Sequence, residues 1–288
     1  MAALRSRLAQ PRPPAVAPIV EPILILSRTR DPRLDSAAEP EPPMWQPGGY
    51  GRTPLDTRKP VLVLNDVTKT YPNGRDALKD VDLVVPEGDF VFLVGASGAG
   101  KSTLMKLLIR DELATMGTVI LDGDDLSRLP RRKVPHVRRK IGIFFQDFKL
   151  LPTKNVRENI AFALEVTGTP RRRIKPAVNR VLALVGLTAQ AEQYPKQLSG
   201  GEQQRTAIAR ALVHDPRIII ADEPTGNLDP LISWEILQLL LRINELGVTV
   251  LMATHDADIV TALRKRVVAL EEGRVIRDEV GGGYHRAG

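Results

Sequence analysis

The chain contains no cysteine, few aromatic residues and no long apolar run. The absence of cysteine excludes a disulfide framework and thiolate metal sites. Aromatic residues make up 4% of the chain and do not interleave with the basic clusters at 131–133, 138–140 and 171–173. Because single-strand nucleic-acid binding usually combines a basic groove with stacking rings, a nucleic-acid partner is disfavoured. No apolar run approaches the roughly 20 residues of a membrane-spanning helix, so we expect membrane association to depend on a partner or on the protein surface.

Residues 1–59 differ in composition from the remainder of the 288-residue chain. They are rich in proline, arginine and alanine, and ordering them would cost about 1–2 kcal/mol per residue in backbone entropy with little apolar surface to bury. We therefore expect residues 1–59 to be a disordered extension, residues 60–280 to form the folded domain and residues 281–288 to be a flexible tail. The net charge of +7 is compatible with a solvated surface or with attraction to nucleotide, nucleic acid or the inner membrane leaflet.

A glycine-rich loop follows a predicted buried strand at residues 90–94. Backbone N–H groups in such a loop wrap phosphate oxygens closely, and the helix that begins near Gly100 adds the positive end of its dipole. Lys101 would reach the β- and γ-phosphates, and Ser102 would bind Mg²⁺. The phosphate-binding residues predicted here are Gly95, Ala96, Ser97, Gly98, Ala99, Gly100, Lys101, Ser102 and Thr103.

A second informative stretch begins at residue 198 and ends at Asp229. It reads LSGGEQQ, continues with a helical pattern and reaches an apolar strand at 218–221 that ends on Asp222 and Glu223. A strand that is apolar throughout is typical of a parallel sheet covered on both faces. Carboxylates at its C-terminal end lie where open α/β sheets bind ligands. Together with the phosphate loop, this stretch predicts an α/β nucleotide-binding enzyme.

Further helices and strands follow from apolar spacing and from turn residues. Helices are predicted at residues 155–167 and 175–187. An antiparallel β layer is predicted from the strands at 61–64 and 81–85 together with the next strand, at 90–94. The remaining predicted strands cover residues 141–145, 248–252, 267–270 and 274–277.

Three of these motifs together resemble those of the ATP-binding cassette (ABC) ATPases. Residues 198–204 resemble the signature motif, residues 95–103 the Walker A motif and residues 218–223 the Walker B motif, within a likeness that extends over residues 61–280. The resemblance implies an α/β P-loop NTPase fold of ABC type, with a RecA-like parallel-sheet core, an antiparallel β subdomain and a helical subdomain at about 147–213. It also implies ATP hydrolysis that depends on Mg²⁺.

The resemblance assigns roles to residues around the nucleotide. Tyr71 would stack on adenine, although by itself it is also compatible with local packing at a strand end. Gln146 matches the Q-loop glutamine that touches Mg²⁺ and the attacking water, and Asp222 would bind Mg²⁺ directly or through water. Glu223 would polarise the attacking water as a general base. His255 matches the switch histidine on the γ-phosphate, although a histidine at a strand end is by itself more often structural.

The resemblance also implies a second subunit. Ser199, Gly200 and Gly201 begin the signature helix, whose N-terminus is an anion site, and would contact the γ-phosphate held by the other subunit. Asp229 matches the D-loop aspartate, which crosses the dimer interface. Because one chain carries one Walker A motif and one signature motif, we expect a head-to-tail homodimer with two composite ATP sites.

The residues that follow Gln146 discriminate best between branches of the family. Phe148, Leu150 and Leu151 are apolar in a loop that would otherwise be solvated, and in ABC ATPases this region lines the groove for a helix of the membrane partner. The alternative is that they pack inside the helical subdomain. Residues 141–168 resemble the cell-division branch, whose ATPase acts at the cytoplasmic face of the cell membrane with an integral membrane protein of FtsX type. That complex activates peptidoglycan hydrolysis outside the cell.

Three other interpretations stay open. A related branch, of the LolD or MacB kind, serves lipoprotein release or export, but its sequence beyond the Q-loop usually differs from QDFKLLP. A soluble, nucleic-acid-associated ABC ATPase usually carries two cassettes or a long coiled-coil insertion, and this sequence has neither. A nucleotide-binding scaffold without turnover would be favoured if Glu223 or His255 were missing, and both are present.

Overall fold

The computed structural model describes residues 58–282, and the expectations for residues 1–57 and 283–288 lie outside the described residues. The strands in that part of the chain are β1 (Pro60–Thr70), β2 (Asp76–Pro86), β3 (Phe90–Val94), β4 (Met116–Leu121), β5 (Asp124–Asp125), β6 (Ile141–Phe145), β7 (Ile218–Asp222), β8 (Thr249–Ala253), β9 (Arg266–Glu271) and β10 (Arg274–Glu279). The α-helices are α1 (Lys101–Leu108), α2 (Val134–Arg138), α3 (Val156–Val166), α4 (Arg171–Leu184), α5 (Gly200–Leu212), α6 (Pro230–Glu245) and α7 (Ala257–Leu263). None of these helices is both long and apolar enough to cross a membrane.

The central layer is a six-stranded sheet in the order β10-β9-β3-β8-β7-β6. Neighbouring strands from β9 to β6 are parallel, and β10 adds an antiparallel edge next to β9. β3 and β8 are buried along their whole length, which parallel strands covered on both faces require. The strands predicted at 141–145 and 218–221 are confirmed, and the strand predicted at 248–252 lies one residue later. The carboxyl ends of β3, β8, β7 and β6 therefore meet at one edge of the sheet.

The second layer is an antiparallel sheet in the order β2-β1-β4-β5. Contrary to the prediction, residues 90–94 do not join it, because a five-residue apolar strand without a polar face needs cover on both sides. β2 begins five residues earlier than predicted, since its pairing with β1 extends beyond the apolar residues to Thr70 and Asp76. β4 has no counterpart among the predicted strands. Its first residues, Met116 and Gly117, are exposed, and its order comes from pairing with β1.

Helices α3, α4 and α5 share an apolar core cluster. The predicted helix at 155–167 is confirmed as α3, and Asn155 and Glu158 close a capping box at its start. Helix α4 begins earlier than predicted, with Pro176 inside it rather than at its first turn, and it ends where Gly186 takes the left-handed conformation at φ +71°. These three helices therefore pack together, and the bounds of the helical subdomain, about 147–213, stay a prediction.

His214 lies just beyond the end of α5 and is half-buried. Its Nε2 is 3.2 Å from the backbone oxygen of Ile141, which fits a neutral ring that donates there. Its Nδ1 is buried and has no hydrogen-bond partner within residues 58–282. Burial lowers the pKa of His214, while the contacts with Ile141 and Asp215 oppose that shift. Protonation would therefore place an unpaired donor and a charge in a dry environment.

We expect His214 to make the fold sensitive to acid. Because its pKa is lowered in the folded state, the unfolded chain binds more protons between the two pKa values, and the free energy of unfolding falls as pH falls from the ordinary histidine range. The slope for one proton is at most about 1.4 kcal/mol per pH unit. His214→Gln keeps an amide donor for Ile141 and cannot titrate. Urea unfolding between about pH 7.5 and 5.5 should show a shallower loss of stability for the variant; equal slopes would contradict this role.

Candidate functional site

The glycine-rich loop is fixed by close backbone packing. Gly95 and Gly100 have φ values of +154° and +114°, which favour glycine over residues with a Cβ. A Cβ on Gly95 would collide with the backbone oxygen of Leu270, and one on Gly100 would lie 2.6 Å from the backbone oxygen of Ala77. The loop is thus held at both ends, while its middle, residues 96–98, is exposed and open to a ligand.

Lys101 places a buried cation inside this loop. Its Nζ donates to the backbone oxygens of Gly95 at 2.6 Å and Ala96 at 3.1 Å. Phosphate oxygens are stronger acceptors for an ammonium group than neutral carbonyls, so a polyphosphate would compete well for these bonds. Ser102, the next residue, is exposed at the start of α1. The loop is therefore arranged to bind phosphate groups.

Two carboxylates end strand β7 at the same edge of the sheet. Asp222 is in register with Phe145 of β6 and Ala253 of β8. Burial, and then the charge of Glu223, raise the pKa of Asp222, while Lys101 and Lys149 oppose that rise. A desolvated carboxylate beside a second carboxylate is stabilised by a cation.

Glu223 and His255 form a pair beside Asp222. The Nδ1 of His255 lies 3.0 Å from Oε1 of Glu223. Glu223 takes a left-handed backbone conformation, with φ +48°, and its N–H donates to the backbone oxygen of Ala253 at 3.0 Å. A non-glycine residue in this region is strained, and such residues cluster at functional sites. The pairing orients a carboxylate that can accept a proton from water.

The side chains at this edge fit a magnesium ion whose remaining ligands come from phosphate and water. Within residues 58–282 no group of three or more His, Cys, Asp or Glu side chains could enclose a metal by itself. Mg²⁺ is usually held by one or two carboxylates together with phosphate oxygens and water, rather than by an all-protein cage. Asp222, Ser102 and Gln146 supply one carboxylate, one hydroxyl and one amide.

Gln146 follows β6 and reaches toward the loop after β7. Its Nε2 donates to Oδ1 of Asn227 at 2.8 Å. Asn227 was not among the predicted site residues. Neither was Arg75, whose guanidinium lies beside Gly98 of the phosphate loop, with Nη2 3.4 Å from the point that a Cβ on Gly98 would occupy. Both residues lie in turns, and their sequence positions carry no signal for these contacts.

Tyr71 lies between the antiparallel sheet and α1. Its hydroxyl is 3.3 Å from Oγ1 of Thr103 and donates to Oε1 of Glu112 at 3.0 Å. The Nζ of Lys69 lies 5.1 Å from the ring centroid. These contacts tether the ring beside the phosphate loop, and its stacking on adenine stays a prediction.

The predicted trans-acting residues lie at the starts of α5 and α6. Ser199 caps α5, and its hydroxyl donates to Oε2 of Glu202 at 2.8 Å. Gly200 and Gly201 form the first turn of α5. Asp229 caps α6 by accepting from the N–H of Ile232 at 3.0 Å. Each cap is satisfied within one chain, and the roles across a dimer interface stay predictions.

The three apolar residues predicted to line a partner groove are half-buried. Phe148, Leu150 and Leu151 are therefore neither fully solvated, as a free loop would be, nor part of the fully buried core. Leu151 is held by Asn159 of α3, whose Oδ1 accepts from the Leu151 N–H at 2.8 Å. The turn thus presents apolar side chains from a fixed backbone.

Comparison with known proteins identifies the family of the chain. The family profile described as ABC transporter matches residues 78–226. The chain is 51% identical over 224 residues to the cell division ATP-binding protein FtsE of Bacillus subtilis, covering 78% of this chain and 98% of that protein. It is 51% identical over 225 residues to the protein of the same name from Mycobacterium tuberculosis, with the same coverage. The chain belongs to the ABC transporter family.

A solved structure of another ATP-binding cassette has the same fold as this chain. The ATP-binding cassette MJ0796, in a dimeric post-hydrolysis state bound to ADP and Pi, is 38% identical and superposes with a TM-score of 0.68 over 77% of this chain and 100% of that one. The expected fold class is thereby confirmed, as is the assignment of the chain as an ATP-binding, ATP-hydrolysing enzyme.

Glu223→Gln should bind ATP and lose most hydrolysis. The amide keeps the size of the side chain but cannot act as a base, and a general base contributes about 10²–10⁴-fold. ATP should then trap a dimer that size-exclusion chromatography detects, while phosphate release measures turnover. Lys101→Ala is the control, since it should lose ATP affinity and form no ATP-dependent dimer. Turnover of Glu223→Gln at the wild-type rate would contradict the assigned role.

Proposed function

We propose that this chain is the ATP-hydrolysing subunit of a cell-division complex, in which two copies bind an integral membrane protein of FtsX type. The observation that carries the proposal is the segment 146–151. The segment starts with Gln146, at the edge of the sheet where the carboxyl ends of the strands meet. It continues directly into the half-buried side chains of Phe148, Leu150 and Leu151. One short segment thus links the nucleotide site to an apolar surface, and the FtsE proteins that match this chain support the same assignment.

Hydrolysis would use the residues at the sheet edge in distinct roles. The phosphate loop and Lys101 bind the triphosphate, whose oxygens replace the loop carbonyls as acceptors. Ser102, Asp222 and Gln146 would hold Mg²⁺, which would neutralise part of the charge on the phosphates when bound. Glu223 would accept a proton from the attacking water. His255, which pairs with the Glu223 carboxylate in this structure, would contact the γ-phosphate as the switch histidine predicted from the sequence.

A second copy would complete each site. Ser199 lies at the N-terminus of α5, where the backbone N–H groups and the helix dipole favour an anion. Its hydroxyl would have to leave Glu202 to donate to a phosphate bound by the partner chain. Because each copy offers one phosphate loop and one signature helix, the head-to-tail pair contains two sites. Closure of this dimer at the cytoplasmic face of the membrane would move the membrane partner and activate peptidoglycan hydrolysis outside.

Phe148→Ala should separate partner binding from catalysis. If Phe148 anchors the membrane partner, the variant should keep its melting temperature and basal ATPase rate and lose about 1–3 kcal/mol of association free energy. Copurification with the FtsX-type protein of the same organism, together with thermal melting, measures both effects. Phe162→Ala, which removes the same ring from a partly exposed position on α3, is the matched control.

The opposite result would show that Phe148 stabilises the folded chain rather than binding the membrane partner. A buried phenylalanine costs about 3–5 kcal/mol when truncated to alanine. Early unfolding with parallel loss of ATPase activity and partner binding would therefore contradict the proposed surface. A normal melting temperature with unchanged copurification would also contradict it.

A further inference from the structure

The turn after Gln146 contains two consecutive residues in the left-handed backbone region. Phe148 has φ +54° and Lys149 has φ +48°. Residues other than glycine are strained there because Cβ crowds the backbone, and they persist only where the surrounding structure holds them. Inside the turn the Phe148 N–H donates to the backbone oxygen of Phe145 at 3.2 Å and the Lys149 N–H to that of Asp147 at 2.5 Å, so the carbonyls of the two strained residues are the groups that a contact from outside the turn can hold.

Arg210, in the last turn of α5, supplies such a contact. Its Nη1 donates to the backbone oxygen of Lys149 at 2.8 Å, and its Nη2 donates to that of Phe148 at 3.1 Å. The planar guanidinium thus spans the carbonyls of both strained residues with two parallel donors. Burial lowers the pKa of Arg210, and within residues 58–282 no carboxylate pairs with it. The half-buried guanidinium is held in place by these two acceptors.

The other end of the turn is held from α3. The side chain of Asn159 is fully buried, donates to the backbone oxygens of Leu151 at 3.1 Å and Lys154 at 2.8 Å, and accepts from the N–H of Leu151. In front of the turn, the Nζ of Lys149 lies 3.8 Å from the ring centroid of Phe145. Asn159 therefore fixes the residues after Leu150, and Arg210 alone of these side chains reaches the two left-handed residues.

Arg210 shares its helix with the residues expected to touch the partner subunit's phosphate. Ser199 caps α5 and Arg210 lies eleven residues later, a span of about 16 Å along a rigid helix. We infer that Arg210 is a positioning residue, which holds the 147–151 turn in the shape that presents Phe148 and joins that turn to the phosphate-sensing start of α5. This inference rests on the proposed function, in which Phe148 faces the membrane partner.

Hydrogen exchange tests the restraint without the partner. In the full chain, Arg210→Gln should speed amide exchange in the 147–151 turn about tenfold, because both donors to the strained carbonyls are removed or misplaced. Arg210→Lys should give an intermediate rate, since an ammonium group cannot match the planar fork. Arg180→Gln, the same change at an exposed position of α4, is the matched control. Exchange in Arg210→Gln equal to that of the wild type would overturn the inference.

A second substitution shows whether Arg210 acts on backbone conformation. Lys149→Gly removes the Cβ that makes φ +48° unfavourable. In the Arg210→Gln background it should return much of the lost protection, whereas a merely structural role of Arg210 in packing α5 would leave the exchange rate high. Absence of any rescue would therefore count against positioning.

Partner association separates this inference from the proposed function. Using the copurified complex with the FtsX-type protein, Arg210→Gln should weaken association about tenfold, near the effect of Phe148→Ala, and the double variant should be no weaker than Phe148→Ala alone. If Phe148→Ala weakens association and Arg210→Gln does not, the inference fails and the proposed function stands. If Phe148→Ala has no effect, the proposed partner surface fails, and the exchange rates still decide whether Arg210 positions the turn.

Discussion

The parallel register of β6, β7 and β8 is the constraint on which the catalytic edge depends. In this register Phe145, Asp222 and Ala253 are direct neighbours, so Gln146 and Glu223 leave the sheet side by side. These strands are apolar and largely buried, and they offer little alternation of polar and apolar residues to specify a register. The polar groups at their ends set it instead, because a slip that drew a carboxylate or an amide into the apolar layer would desolvate it without a partner.

The same edge concentrates charges that the protein alone satisfies incompletely. Lys101 has neutral carbonyls as its acceptors, and burial together with Glu223 raises the pKa of Asp222. The cation without a negatively charged acceptor and the partly buried carboxylate both cost free energy in the protein without nucleotide. A metal-bound triphosphate would give Lys101 an anionic acceptor and Asp222 a cation. Folding stability and nucleotide affinity are therefore coupled, since a ligand that binds only the folded state stabilises it. The strained backbone of Glu223 belongs to the same compromise between stability and function.

Sequence could predict those parts of the site whose signals are local. The phosphate loop, the apolar strand that ends on Asp222 and Glu223, and the helix that starts at Asn155 each carry their evidence within a few residues. The contact of Gln146 with Asn227 joins residues 81 positions apart, and that of Arg210 with Lys149 joins residues 61 positions apart. Neither pair has a local pattern, because each exists only once the sheet and α5 have packed. β4 was missed for a related reason, as its order comes from pairing with β1 rather than from its own composition.

Helix α5 connects the predicted phosphate contact at Ser199 with the turn that contains Phe148. At its start, hydrogen bonds from the backbone and side chain of Ser199 lower the pKa of Glu202, which keeps that carboxylate ionised and the Ser199 hydroxyl engaged. A phosphate from a second copy must offer Ser199 a better acceptor than Glu202 before this cap rearranges. At its end, Arg210 is committed to two carbonyls and to no carboxylate within residues 58–282. Since a helix of this length moves as one body, a shift of α5 driven by phosphate at its start has to carry Arg210 with it. The carbonyls of Phe148 and Lys149 would follow through their bonds to Arg210, while Asn159 holds the residues after Leu150.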